Sequence, residues 1–197
     1  MSKATQRTRA IAHRDALHPA TRARASAAIC ARLEDLPEVR SARCVFCYVP
    51  FRSEVDTLPF LHAVLAAGKR LAVPRVEGPR LMHAVQIVDP DHDLEAGHWG
   101  IPEPRRDLPL IDAAEIDVMI CPGAAFDAAG HRIGYGGGFY DTFVEGVREG
   151  VPRIAVAFEV QVLDQVASER HDAVIHAIVT DRRVIRPAAD EPDGRPS

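Results

Sequence analysis

Arg43-Cys-Val-Phe-Cys-Tyr-Val49 and Arg70-Leu-Ala-Val-Pro74 are two apolar runs of strand length, and Leu58-Pro-Phe-Leu-His-Ala-Val-Leu65 lies between them. The flanking runs carry the β-branched and aromatic residues that favour a strand. The middle piece sets Leu58, Leu61, Val64 and Leu65 on one helical stripe. Asp56 or Thr57 is placed to cap that helix, and Gly68 to end it. Strand, helix and strand in this order form a βαβ unit, which makes its two strands parallel and buried.

Upstream, Ile11, Leu17, Ile29, Leu33 and Leu36 are helically spaced within an Ala- and Arg-rich stretch. His18-Pro19 divides it into two helices, with Thr21 near the start of the second. Downstream, strands are predicted over 81–88, 116–121, 153–158 and 173–180, the first of them antiparallel and nearer an edge. A helix is predicted from Phe139 to about Arg148. The segments 89–112 and 122–138 read as loops. The sum is a three-layer α/β/α domain over 1–186 around one mostly parallel sheet, and a tail over 187–197 too poor in apolar residues to fold. Ligands on such sheets bind beyond the carboxyl ends of the strands, which singles out loops 50–55, 122–138 and 158–172.

Composition narrows the function further. With 47% hydrophobic and 26% charged residues the chain is ordinary globular protein, neither disordered nor fibrous. Its net charge of −4 gives no general attraction to nucleic acid or lipid, so phosphate binding must come from local groups. No run of about 18 apolar residues would span a membrane. The polar, basic start has no secretory core segment, so the expected location is cytoplasmic. Cys44 and Cys47 make a CxxC, but within a strand such positions face opposite sides. With Cys30 and Cys121 they are expected to be reduced core thiols.

The chemistry concentrates in residues 120–141, Ile-Cys-Pro-Gly-Ala-Ala-Phe-Asp-Ala-Ala-Gly-His-Arg-Ile-Gly-Tyr-Gly-Gly-Gly-Phe-Tyr-Asp. Gly134, Gly136, Gly137 and Gly138 surround Tyr135 just before a helix. Without a Cβ, backbone amides can converge on an anion. Arg132 adds a charge, and Asp141 is placed to hold Mg²⁺ beside a phosphate. The alternative is a glycine-rich turn whose acid merely suits the helix start. It is not a P-loop, because no Gly-Lys-Ser/Thr follows the glycines, and Gly68-Lys69-Arg70 lacks the hydroxyl. Nor is it a dinucleotide fingerprint, since Phe139 stands where the third glycine belongs.

The run Arg132-Ile-Gly-Tyr-Gly-Gly-Gly-Phe-Tyr-Asp141, preceded by Pro122-Gly-Ala-Ala-Phe-Asp127, resembles the signature of the 5-formyltetrahydrofolate cyclo-ligases. Tyr48-Val-Pro50 with Glu54-Val-Asp-Thr57, Trp99-Gly-Ile-Pro-Glu-Pro104, Ala157-Phe-Glu-Val-Gln161 and His171-Asp172 agree in order, so the likeness runs from about residue 3 to 181. The resemblance implies a single domain related to sugar-phosphate isomerases and CoA-transferases. It also implies ATP- and Mg²⁺-dependent closure of 5-formyltetrahydrofolate to 5,10-methenyltetrahydrofolate: the formyl oxygen takes the γ-phosphoryl group, N10 attacks, and phosphate leaves.

By the same resemblance Lys3, Arg7, Arg132, Ile133, Gly134, Tyr135, Gly136, Gly137, Gly138, Phe139 and Tyr140 fall on ATP-binding positions. Val49, Glu54, Tyr135 and Phe139 fall on substrate positions, and Asp141 and Asp172 on magnesium positions. Glu54 suits the donor-rich pterin edge because a carboxylate only accepts; it also reads as an ordinary residue ahead of a helix. Lys3 and Arg7, four apart, share one helix face and can meet one polyphosphate. Phe51, Trp99, Tyr135 and Phe139 could sandwich a ring or simply be core. Three positions depart from the family pattern: Gly137 where some members carry lysine, Phe139 for a frequent tyrosine, and His176 at an often acidic strand position. The expected partners are reduced folate and ATP only, with the protein a monomer or weak dimer. Two other readings stay open, an isomerase- or transferase-like enzyme on a related sheet and a non-catalytic folate or nucleotide binder.

Overall fold

The structure, a computed structural model, describes residues 1–97, 100–169 and 173–188. In chain order the elements are α1 (Lys3–Asp15), α2 (Pro19–Asp35), α3 (Pro37–Ser41), β1 (Cys44–Cys47), α4 (Leu58–Ala66), β2 (Arg70–Gly78) and β3 (Leu81–Ile87). Then come β4 (Leu94–Ala96), β5 (Pro102–Pro104), β6 (Leu110–Ile111), β7 (Val118–Cys121), β8 (Ala125–Asp127), β9 (Arg132–Ile133) and α5 (Phe139–Val144). The chain continues through β10 (Arg153–Val156), β11 (Val162–Leu163), β12 (Ala177–Val179) and β13 (Val184–Ile185).

The βαβ unit is the centre of the sheet. β1 runs parallel to β2 with Val45 beside Leu71, and parallel to β7 with Val45 beside Val118. The full sheet has eight strands in the order β13-β12-β10-β7-β1-β2-β3-β6. Its five inner strands from β12 to β2 are parallel, and β13, β3 and β6 add antiparallel margins. Alternation along β1 sorts the core. Val45 and Cys47 pack with Ile29 and Leu33 of α2 and Phe60, Leu61 and Val64 of α4, while Cys44 and Phe46 face the other way. There Phe143 of α5 stacks on Phe46 with ring centroids 4.8 Å apart. Helices thus cover both faces of one sheet in a single domain. The four cysteines are buried and unpaired, with Cys44 and Cys47 on opposite faces.

Several details differ from the sequence reading. Thr21 does not cap α2: Pro19 occupies the first turn, so the cap falls on His18, whose Nδ1 accepts from the Ala20 amide at 3.2 Å. Segment 89–112 is not all loop, since β4 and β5 pair as a hairpin and β6 joins the sheet. Segment 122–138 contains β8 and β9, which form a small sheet with β11. α5 ends at Val144 rather than near Arg148, where i to i+3 bonds from Gly146 and Val147 close a tighter turn. No helix among the described residues is long and apolar enough to cross a membrane.

Candidate active site

Strand order reverses at β1 and β7, because the chain leaves β1 toward β2 on one side and returns to β7 on the other. At such a reversal the loops beyond two neighbouring strands diverge and leave a crevice, the usual ligand position on parallel sheets. Here the walls are the loop after β1 and the glycine-rich segment that follows β8 and β9. A larger depression of about 430 Å³ lies at the opposite, amino ends of β1, β2 and β7, among Arg43, Arg70, Glu115, Asp117 and Arg148. Its acids are already paired, Glu115 with Arg70 at 2.6 Å and Asp117 with Arg148 at 2.8 Å. Topology and charge both favour the smaller crevice.

The loop after β1 is held from within. The Tyr48 hydroxyl donates to the Val55 carbonyl at 2.9 Å, and Thr57 Oγ1 donates to the Tyr48 carbonyl at 3.1 Å. Thr57 therefore turns inward and makes no cap; Asp56 takes that role, accepting from the Leu58 amide at 3.1 Å. The Phe51 amide donates to Glu54 Oε2 at 2.9 Å, which fixes the carboxylate inside the turn.

The glycine wall is shaped by Asp127 and by left-handed glycines. Asp127 is buried and accepts from the amides of Ala129, His131 and Val166 at 3.1, 3.0 and 2.8 Å, which sets the turn between β8 and β9. Gly136 (φ 99) and Gly138 (φ 68) hold backbone that side-chain-bearing residues rarely adopt. The resulting cleft, about 240 Å³, is lined by Lys3, Arg7, Arg80, Arg132, residues 133–140 and Asp141. Helix α1 closes it. Arg7 Nε donates to the Gly134 carbonyl at 2.8 Å, and the Gln6 amide group clips onto Gln165 and Ala167 at 2.8 and 2.9 Å. The helix after the glycines has only six residues, so it adds little dipole. The positive character of the cleft comes from side chains.

A second cluster joins the two walls. The Tyr135 hydroxyl receives a bond from Arg14 Nη1 at 2.6 Å and donates to the Glu54 carboxylate. Arg14, itself buried, also donates Nε to Ser53 Oγ at 2.9 Å, and Ser53 in turn bonds Asp15. Burial pushes the Glu54 carboxyl above its ordinary range, against the Tyr135 and Phe51 hydrogen bonds that pull it down. Burial and the nearby Glu54 charge raise the Tyr135 hydroxyl likewise.

The residues singled out in the sequence mostly meet here. Glu54 and Tyr135 touch, and Lys3, Arg7, Arg132, Phe139 and Asp141 share the cleft. Ile133 and Tyr140 also line the cleft: Ile133 packs with Ala10, and the Tyr140 ring sits edge-on to Phe46 at 6.2 Å with the Arg132 guanidinium over its face at 5.6 Å. Val49 is buried with the core. Asp141 is not a bare carboxylate, since its Oδ1 pairs with Arg132 Nη2 at 2.9 Å. Among the described residues no group of three or more His, Cys, Asp or Glu could hold a metal. Trp99, His171 and Asp172 lie outside the described residues. A Cβ at Gly137 would strike the Phe139 ring, so a side chain at 137 cannot coexist with this ring position. His176 binds Arg153, its Nδ1 accepting the Arg153 amide at 2.9 Å, and takes no part in the crevice. Arg14 and Arg80 are the contributors not singled out from sequence as site residues. Arg14 looked like one more charge on a basic helix, and Arg80 is a hairpin-tip residue about fifty positions from the glycines.

The fold and crevice define a doubly wound α/β protein with a cationic, glycine-walled cleft at its strand-order reversal. The family model of the 5-formyltetrahydrofolate cyclo-ligase family matches residues 1–181, and the chain belongs to that family of ligases. It is 30% identical to a 5-formyltetrahydrofolate cyclo-ligase of Mycolicibacterium smegmatis over 74% of this chain and 77% of the relative. It is likewise 30% identical to a mitochondrial one of Arabidopsis thaliana, over 86% of this chain and 70% of the relative. The solved structure of Aquifex aeolicus 5,10-methenyltetrahydrofolate synthetase superposes with a TM-score of 0.85 at 29% identity, covering 99% of this chain and 97% of that one.

Proposed function

We propose that this chain closes 5-formyltetrahydrofolate to 5,10-methenyltetrahydrofolate at the expense of ATP, releasing ADP and phosphate. The observation that carries this reading is the junction of two unlike subsites. A cleft rimmed by Lys3, Arg7, Arg80 and Arg132 suits a polyphosphate. The Glu54 carboxylate beside it, reached through Tyr135, suits the donors of a pterin. In the proposed reaction the formyl oxygen attacks the γ-phosphorus and ADP leaves. N10 then attacks the activated carbon, and the oxygen departs with the phosphate. Such phosphoryl transfer asks the protein for positioning and charge neutralisation rather than covalent help.

Asp141, with Asp172, would hold Mg²⁺. The fit is reasonable for an ion that takes one or two carboxylates and completes its shell with phosphates and water. Asp141 Oδ1 is engaged by Arg132 and by the Ala173 amide at 3.4 Å, while Oδ2 has no hydrogen bond to the described residues. The ion would supply neutralisation of phosphate charge. In this chain Arg132 holds Asp141 in place, and Arg7 fixes the Gly134 carbonyl. Four buried free thiols suit a reducing compartment, consistent with the cytoplasmic reading.

The decisive experiment is turnover of 5-formyltetrahydrofolate by purified protein with and without ATP, and with EDTA. Methenyltetrahydrofolate should form only with ATP and Mg²⁺ present. Equal conversion without nucleotide would remove the phosphoryl-transfer mechanism.

A further inference from the structure

Four cations line the glycine cleft, and three are engaged within the protein. Lys3 Nζ lies 3.4 Å from Glu169, Arg7 donates to Gly134, and Arg132 pairs with Asp141. Arg80 differs: among the described residues its guanidinium has no hydrogen bond or ion pair. It also sits where an arginine is not favoured. The turn between β2 and β3 places it at φ 57, a left-handed conformation that Gly or Asn adopts far more readily. A turn that served only to reverse the chain would gain from replacing it.

The hairpin is nevertheless fixed in a useful place. Met82, two residues on, is buried in the cluster that receives Phe139 and Phe143 of α5. This anchors the hairpin tip beside the glycine wall. A Cβ built on Gly138 would stand 3.4 Å from Arg80 Nε, so the guanidinium lies directly over the bare backbone of the loop. Arginine presents a planar fork of donors that matches phosphate oxygens.

We propose that Arg80 is a polyphosphate-binding residue, an arm from the β2–β3 hairpin that grips the nucleotide from another element than Lys3 and Arg7. The inference rests on the reading of this cleft as the ATP site. It assigns the cleft three separate sources of charge: helix α1, the hairpin tip and Arg132 on β9. The nucleotide would then tie the hairpin to the glycine wall.

The test uses Arg80→Asn, which suits the left-handed backbone but removes the charge, beside Arg80→Lys, which keeps it. Binding of MgATP and of inorganic tripolyphosphate is measured for each full-length protein, together with 5-formyltetrahydrofolate binding without nucleotide. Arg80→Asn should lose about tenfold or more for both phosphate ligands, as expected for losing charge-assisted bonds. Its melting temperature should hold or rise, and folate affinity should not move. Arg80→Lys should keep most of the phosphate affinity. If Arg80→Asn binds MgATP as tightly as the unaltered protein, or loses ATP and folate together, Arg80 has no such role. Failure of the unaltered protein itself to bind MgATP would overturn the nucleotide reading of the whole cleft, and Arg80's role with it.

Discussion

At the scale of single residues, the carboxylates Glu54 and Asp141 are under different strains, and their variants should behave differently. Glu54 is half-buried, and the loss of water around it raises its folded pKa above its ordinary value of 4.5. The native state therefore binds its proton more tightly than the unfolded chain does. The stabilising contribution of Glu54 is complete below the unfolded pKa and declines as pH rises through the folded value. Above its folded pKa the ionised carboxylate is kept at some cost to stability, which is what a group reserved for a ligand would show. Glu54→Gln should thus melt no lower than the unaltered protein at pH 8, with the difference shrinking toward pH 4. Its folate affinity should fall about ten- to a hundredfold, the roughly 1.5–3 kcal/mol of a charged hydrogen bond, with ATP affinity little changed. An unchanged folate dissociation constant would make Glu54 a turn residue. Asp141 differs in having a nearly buried partner, Arg132. Asp141→Asn should cost about 1–3 kcal/mol of stability by leaving that charge less well answered. This exceeds the roughly 0.3–1 kcal/mol of a simple helix-end charge. The metal role is read separately: ATP affinity of Asp141→Asn should lose its dependence on Mg²⁺, and an intact dependence would clear Asp141 of it.

At the scale of elements, α1 is a strap across the carboxyl end of the sheet rather than a frayed terminus. Ala10 packs against Ala124, Ala125 and Ile133, and Gln6, Arg7 and Arg14 each bond a different loop. The double variant Lys3→Ala/Arg7→Ala leaves Ala10 and the Gln6 clip intact and favours helix. It should cost about 1 kcal/mol, mainly the Arg7 bond to Gly134, while ATP affinity drops by about tenfold or more. ATP binding equal to that of the unaltered protein would reduce α1 to packing. What could be read of this architecture in advance follows from element length. β1, α4 and β2 were legible because the two strands are apolar runs rich in β-branched and aromatic residues and the helix between them carries a stripe of helical period. The two- and three-residue strands β8, β9, β11 and β13 show no such pattern: Asp127 braces the turn between β8 and β9 and the end of β11, and Thr180 braces the turn that returns β13 to β12. The glycine wall was legible as a local run of residues. Arg14 and Arg80 were not, since the one is buried by a contact between α1 and Ser53 and the other is delivered by the β2–β3 hairpin. The Arg132–Asp141 pair was equally hidden, because both residues read as ligand-facing until the geometry put them on each other.

At the scale of the whole molecule, the crevice is the place where separate parts of the chain meet. α1, the β2–β3 hairpin, the loop after β1 and the glycine wall converge there on side chains and turns, while two large apolar clusters lie along the faces of the sheet and a small third one joins α1 to β8 and β9. A ligand in the cleft would bridge parts otherwise joined by small apolar contacts and a few hydrogen bonds, and binding to the native state alone stabilises the whole fold. At a hundredfold excess over its dissociation constant MgATP should add about 2.7 kcal/mol. For a chain of this size, at about 2–4 °C per kcal/mol, that is a rise in melting temperature of about 5–10 °C. The distribution of the effect locates the site. Amide exchange should slow in α1, in the turn around Arg80 and across residues 132–141, and stay unchanged near Arg43, Arg70 and Arg148 at the other end of the strands. The larger depression at that end is the competing location, and it offers three arginines of its own. Protection centred there, with α1 exchanging as before, would move the nucleotide to the amino ends of the sheet. No rise in melting temperature at saturating MgATP would mean that the cleft takes no nucleotide at all.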